Sequence, residues 1–171
     1  MIFNENIDLK GEVIITSIDA LGNTKILVED KNLIVLNGRR SLAKSLIGIS
    51  NTYIDDVVFG TGGVLLGNPN AIIPILPTDT NVNNPLSVIK NVDYIFVSPT
   101  VTDIDSNLIL PPKLTFNITI PTVSNLNGLS LNEMALLLNT SPSSTAFAIK
   151  RFSTIVKSTS ISINIKWVIY L

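Results

Sequence analysis

Ile161-Ser162-Ile163-Asn164-Ile165-Lys166-Trp167-Val168-Ile169-Tyr170 decides the fold class of this chain. Ile161, Ile163, Ile165, Trp167 and Ile169 alternate with Ser162, Asn164, Lys166 and Tyr170. A side-chain period of two sends successive residues to opposite faces of a sheet, so the segment reads as a strand with one face buried. Trp167 falls on the apolar side and is expected in the core. Leu114, Phe116, Ile118 and Ile120 alternate with Thr115, Asn117 and Thr119 in the same way. Ala146 to Val156 reads as a further strand, and Lys157-Ser158-Thr159 between it and the last strand predicts a hairpin.

Working outward, Ser87 to Val97 and Leu129 to Leu138 read as strands, and so does Asp56 to Phe59. Near the N-terminus, Gly11 to Ile18 is rich in β-branched residues, Leu21-Gly22-Asn23 supplies turn chemistry, and Thr24 to Glu29 returns. Asn32 to Leu36 reads as one more short strand, stopped at Asn37-Gly38. The only helical pattern lies at about residues 39–47. There Leu42 and Leu46, and Ala43 and Ile47, pair at i,i+4 spacing, with Gly48 placed to cap the end. On this reading Arg39, Arg40 and Lys44 take the outer face. The set of many short strands with intervening turns predicts a mainly β chain, an antiparallel β-sandwich of jelly-roll type with one short α-helix.

A long loop over residues 60–87 interrupts the pattern. Pro69, Pro74, Pro77 and Pro85 each lack the N–H that a ladder needs. Loops of this length are uncommon in compact domains unless they serve a function. Ile72, Ile73, Ile75 and Leu76 are costly to leave in water, so the loop is expected to dock, and these four residues are the candidate assembly contacts. Gly60-Thr61-Gly62-Gly63 follows a strand as a phosphate loop does. It is followed by Val64-Leu65-Leu66 rather than Lys-Ser/Thr, so a tight turn or bulge is the better reading. The chain divides into an N-terminal hairpin or arm, residues 1–31, and a sandwich domain, residues 32–171.

The composition limits the chemistry. Of 171 residues, 46% are hydrophobic and only 15% charged, and the mean hydropathy is +0.44. No apolar run approaches the ~20 residues that span a bilayer, and the first residues lack the basic-then-apolar pattern of a secretory signal. A chain so apolar and so weakly charged is expected to bury surface against partners as well as within itself. The net charge of −1 supplies no basic stripe for nucleic acid. With no cysteine and no histidine, the commonest nucleophiles, general bases and metal ligands are missing. No catalytic residue, cofactor, metal site or small-molecule substrate is expected.

Three features invite chemistry, and each has a plainer reading. Asp103-Ile104-Asp105-Ser106-Asn107 offers oxygen ligands but lacks the glycine and closing Glu of a calcium loop, and reads as a turn. Thr140-Ser141-Pro142-Ser143-Ser144-Thr145 has no histidine to activate a hydroxyl and reads as a loop. Glu133 lies in the apolar run Leu129 to Leu138, where a carboxylate needs a cationic or backbone partner. Arg39, Lys150 and Arg151 are the candidate cations, and a structural ion pair of Glu133 with Arg39 or Arg151 is expected.

Several segments in order resemble small tail and baseplate (fibre-attachment) structural proteins of tailed bacteriophages. They are Asn32 to Ala43, Val57 to Gly63, Leu131 to Leu136, Ala146 to Phe152, Lys157, and the strand Ile163 to Trp167. The resemblance covers roughly residues 32–170 and its motifs are architectural. It implies a virion component, assembled in the host cytoplasm, that attaches to symmetric copies of itself, a trimer among them, and to other tail proteins. A head-decoration or neck protein is the nearest alternative. A carbohydrate-binding β-sandwich for host adhesion is another, although aromatics are only 6% of the chain. No nucleic-acid or membrane partner is implied.

Overall fold

The computed structural model describes residues 9–49, 52–89, 94–97, 113–139 and 144–170. The described elements run β1 Lys10–Asp19, β2 Thr24–Ile34, α1 Leu36–Leu46, β3 Ile54–Gly60, β4 Pro85–Ile89, β5 Tyr94–Val97, β6 Lys113–Ile120, β7 Ser130–Leu138, β8 Thr145–Val156 and β9 Ile161–Tyr170. The chain is mainly β with one short helix. The strands form one sheet in the order β4-β3-β7-β8-β2-β1-β9-β6-β5, every pair antiparallel.

This sheet has to curl. Nine strands at about 4.8 Å spacing would set β4 and β5 roughly 38 Å apart in a flat sheet. Ile89 and Tyr94, in those two edge strands, are five peptide steps apart and at most about 18 Å from each other. β2 makes the fold between the two halves. Residues Thr24 to Asn32 pair with β1, while Leu33 and Ile34 pair with Ile149 and Ala148 of β8. The main core fills the space between the halves, with Val13 and Ile15 of β1, Phe59 of β3, Phe116 and Ile118 of β6, Met134 and Leu136 of β7, and Trp167 of β9. The N-terminal hairpin is thus part of the sheet, since β1 pairs along its whole length with β9. Asp19 secures its turn, accepting from the N–H groups of Leu21 and Asn23 at 2.9 Å.

Four sequence-based expectations change. Thr24 to Glu29 and Asn32 to Ile34 belong to one strand, β2, because a single bent strand serves both halves, and Val35 and Leu36 pass into the helix. The segment Ser87 to Val97 is two strands at opposite ends of the sheet, and β4 begins at Pro85. β8 and β9 do not form a hairpin. β8 lies between β7 and β2, and β9 between β1 and β6, so the chain crosses from one half to the other after Val156. The buried Lys157 ammonium holds this crossing, donating to Asn127 Oδ1, Ser158 O and Ile161 O at 2.8, 2.6 and 2.7 Å. Those three acceptors match its three protons, and burial lowers its pKa from the usual 10.5.

The helix is the fourth. It starts at Leu36, three residues earlier than its periodicity suggests, and it buries Gly38 and Ser41 rather than the Leu42–Leu46 and Ala43–Ile47 face. Contact with the start of β8 decides this. A Cβ on Gly38 would lie 2.3 Å from the carbonyl oxygen of Phe147. The helix can approach the strand only where a side chain is missing. Gly38→Ala should therefore destabilise the protein by about 1–3 kcal/mol through overpacking, despite the better helix propensity of alanine. A lower urea midpoint at unchanged m-value would show it; a midpoint equal to the wild type would mean that the backbone contact yields freely.

Candidate functional site

The site is built on one cross-strand row. Gly60 of β3, Glu133 of β7 and Arg151 of β8 stand side by side in register. Glu133 is fully buried and Arg151 nearly so. Glu133 Oε1 accepts from the backbone N–H groups of Gly62 and Asn84 at 2.8 and 2.9 Å, and Oε2 from that of Asn83 at 3.0 Å. Arg151 Nε lies 3.6 Å from Glu133 Oε2. One end of its guanidinium donates to Pro74 O at 2.7 Å, the other to Asp79 Oδ2 and Asn83 Oδ1, each at 3.1 Å.

These partners belong to the loop at residues 61–84. The row therefore tethers the loop to the outer face of β3, β7 and β8. Three glycines make room for the tether. A Cβ on Gly60 would fall 2.6 Å from Glu133 Oε1, one on Gly62 2.9 Å from the same atom, and one on Gly63 2.2 Å from Asn132 O. The Gly60–Gly63 cluster serves as a cradle for a buried carboxylate of this chain, where a phosphate loop would cradle a ligand. Gly63 N–H adds a bond to Asn132 Oδ1 at 2.7 Å. Further along, Thr154 N–H donates to Pro69 O, Ala146 N–H to Thr80 O and Leu36 N–H to Pro77 O. A second apolar cluster is sealed beneath, joining Val82 and Ile75 of the loop to Val58, Ala135, Leu137, Ala146 and Ile149 of the sheet.

The candidate residues separate accordingly. Glu133 and Arg151 meet. Arg39 is exposed on α1, where its Nε donates to Ile34 O at 3.3 Å. Lys150 points to the opposite face from Arg151 and pairs with Asp30 Oδ2 at 2.5 Å and Lys31 O at 3.0 Å. Of the four candidate contacts, Ile75 packs into the second cluster and Ile73 is half-buried, its N–H donating to Gly63 O at 2.9 Å. Ile72 and Leu76 face solvent, joined by Leu65 and the fully exposed Leu66. Sequence reasoning did not single out Leu65 and Leu66. Their signal was present, since two adjacent leucines outside any strand cannot share one buried face. The Asp103–Asn107 stretch and residues 140–143 lie outside the described residues.

Among the described residues, no group of three or more His, Cys, Asp or Glu could hold a metal, and no helix is long and apolar enough to cross a membrane. Compared with protein-family models, with curated proteins and with solved structures, the chain matches none.

Two outcomes follow from this geometry. Arg151→Ala leaves the Glu133 carboxylate buried without its cation, a loss of about 3–5 kcal/mol. Hydrogen exchange should speed up at the amides of Gly62, Asn83 and Asn84; unchanged exchange there would mean the carboxylate does not hold the loop. At the other face, the Lys150 hydrogen bond lowers the Asp30 pKa from its usual 3.8. The folded form thus binds the proton less readily than the unfolded chain. The contribution is fully present above the ordinary carboxylate value and is lost as pH falls through the lowered one. Asp30→Asn should flatten stability against pH in that acid window and leave the neutral-pH slope unchanged.

Proposed function

We propose that this chain is a non-enzymatic assembly subunit of a virion, of the tail, baseplate or fibre-attachment kind, joining copies of itself and other tail proteins. The observation that carries the reading is the loop at residues 61–84. Its backbone is bonded to β7, β8 and the start of α1 and its polar groups are gathered on Glu133 and Arg151, yet it holds Leu65, Leu66, Ile72 and Leu76 in solvent. A loop with no external role would turn these side chains toward the sheet, as it turns Ile75 and Val82. Large aliphatic groups grouped on an ordered surface mark a contact to be covered by another protein. The tail or baseplate assignment is supported by the resemblance of the segments between residues 32 and 170.

Light scattering across a concentration series tests the assembly. The wild type should form a closed oligomer, and Leu66→Asp with Ile72→Asp should reduce its mass without lowering the unfolding midpoint. Antibody labelling of virions in the electron microscope tests the location, with label expected on the tail. A wild type that stays monomeric at every concentration, together with unlabelled particles, would overturn the reading.

A further inference from the structure

One side of β2 is free along most of its length. The strand pairs with β1 from Thr24 to Asn32 and with β8 only at Leu33 and Ile34. Among the described residues, no strand pairs with the other side of β2 before Leu33. This edge carries the aliphatic triplet Ile26-Leu27-Val28, with Ile26 exposed. An open strand of such composition is a template for pairing with another chain.

Three features disarm the template. The first lies in the seam where β2 and β8 part. Asp30 stands opposite Val13 of β1, and Lys150 opposite Met134 of β7. Val13 and Met134 belong to the main core, and residues directly opposite share a face, so a charged pair occupies two core-facing positions. The Asp30 side chain keeps 63% exposure through the open seam, while that of Lys150 keeps 7%. Lys150 Nζ reaches across the seam to Asp30 Oδ2 and to Lys31 O at 3.0 Å. The bridge thus occupies an acceptor of the edge, and a strand laid along the seam would seal the carboxylate from water.

The second feature is the register shift between Ile15 and Thr16, which leaves Leu27 without a partner on β1. Leu27 and Val28 both pack on the core, so the alternation of β2 slips by one residue there. A bulge bends its strand and increases its twist, and an incoming strand can follow only one side of it. The third is charge, since Lys25, Glu29, Asp30 and Lys31 flank the triplet and are exposed.

We propose that the free side of β2 is a guarded edge, at which the Lys150–Asp30 bridge excludes the strand of a second copy. Open strand edges give neighbouring copies a contact that need not close into a symmetric particle. The bridge removes that route and leaves association to side-chain surfaces. This edge is separate from the loop surface, and its guard acts in a monomer as well as in an assembly.

Replacing both members of the bridge removes the guard without leaving an unpaired charge. Asp30→Val with Lys150→Met is made in the Leu66→Asp, Ile72→Asp background, so that the loop surface contributes nothing. An apolar pair in place of the ion pair should keep or raise the unfolding midpoint. Light scattering should then show a mass at least about twofold that of the background chain. Glu29→Pro locates the contact. Lys31 O faces the seam, so the Glu29 N–H, two residues before it, faces the seam too. Removing that N–H spares the β1 ladder and should return the variant to the background mass. A folded Asp30→Val, Lys150→Met chain that keeps the background mass would overturn the guard, and so would association that Glu29→Pro leaves unchanged. If the apolar pair lowers the midpoint, the near-isosteric Asp30→Asn with Lys150→Gln removes the charges instead. The same rise in mass is expected there, and its absence would equally overturn the guard.

Discussion

A carboxylate sealed from water is the constraint on which the rest of this structure depends. Glu133 sits in the middle of a strand whose other members from Leu131 to Leu138 are buried as well. An isolated charge at such a place is prohibitive, so its lone pairs must be met by the protein. No regular neighbour in a sheet offers three free N–H groups. They come from a segment outside the ladder, and that segment must pass directly above the row Gly60–Glu133–Arg151. The glycines at 60, 62 and 63, the proline-bearing path of residues 61–84 and the reach of Arg151 to Pro74 and Asp79 are consequences of meeting that one demand.

Covering the outer face of β3, β7 and β8 changes what those strands can be. β6 keeps the alternation of a strand with one wet face, exposing Asn117 and Thr119. β7 and the first half of β8 are buried on both faces, and their sequences are nearly continuous in apolar residues. Much of the chain's high hydropathy is thereby consumed internally, by a second core between sheet and loop. What composition alone attributes to partners is divided in two. One part seals Val82 and Ile75 onto the sheet, and another is displayed at the loop surface and the helix end.

This division explains what was legible beforehand. Strands with one wet face announce themselves by period two, and β6 and β9 were readable residue by residue, while β1 was marked by its β-branched residues. The need of Glu133 for a partner was readable too, because burial of a charge has one physical remedy. The choice between Arg39 and Arg151 was not, because it depends on β7 and β8 pairing in a register that puts Glu133 opposite Arg151. Sequence proximity misled at the β8–β9 connection, where a short link implies a hairpin but both strands already have two neighbours. It misled again at α1. Helical spacing assigns Leu42, Leu46, Ala43 and Ile47 to the inside, yet helix rotation is set by the single point where Gly38 meets Phe147.

The two places where apolar side chains remain in solvent share a physical property. At the loop the backbone is bonded to the sheet, and at the helix end it is closed by the Gly48 turn. Ordering a backbone segment on association costs about 1–2 kcal/mol per residue, which easily cancels the gain from covering a few leucines. Here that cost is met during folding, by the sealing of Val82 and Ile75 and the bonds to Glu133 in one case and by the helix closure in the other. Aliphatic groups held on a prearranged surface retain most of their burial energy for association. Loose loops bearing the same residues would not. The tethering of residues 61–84 thus links folding to surface: the polar row that holds the loop on the sheet also fixes the positions of Leu65, Leu66, Ile72 and Leu76.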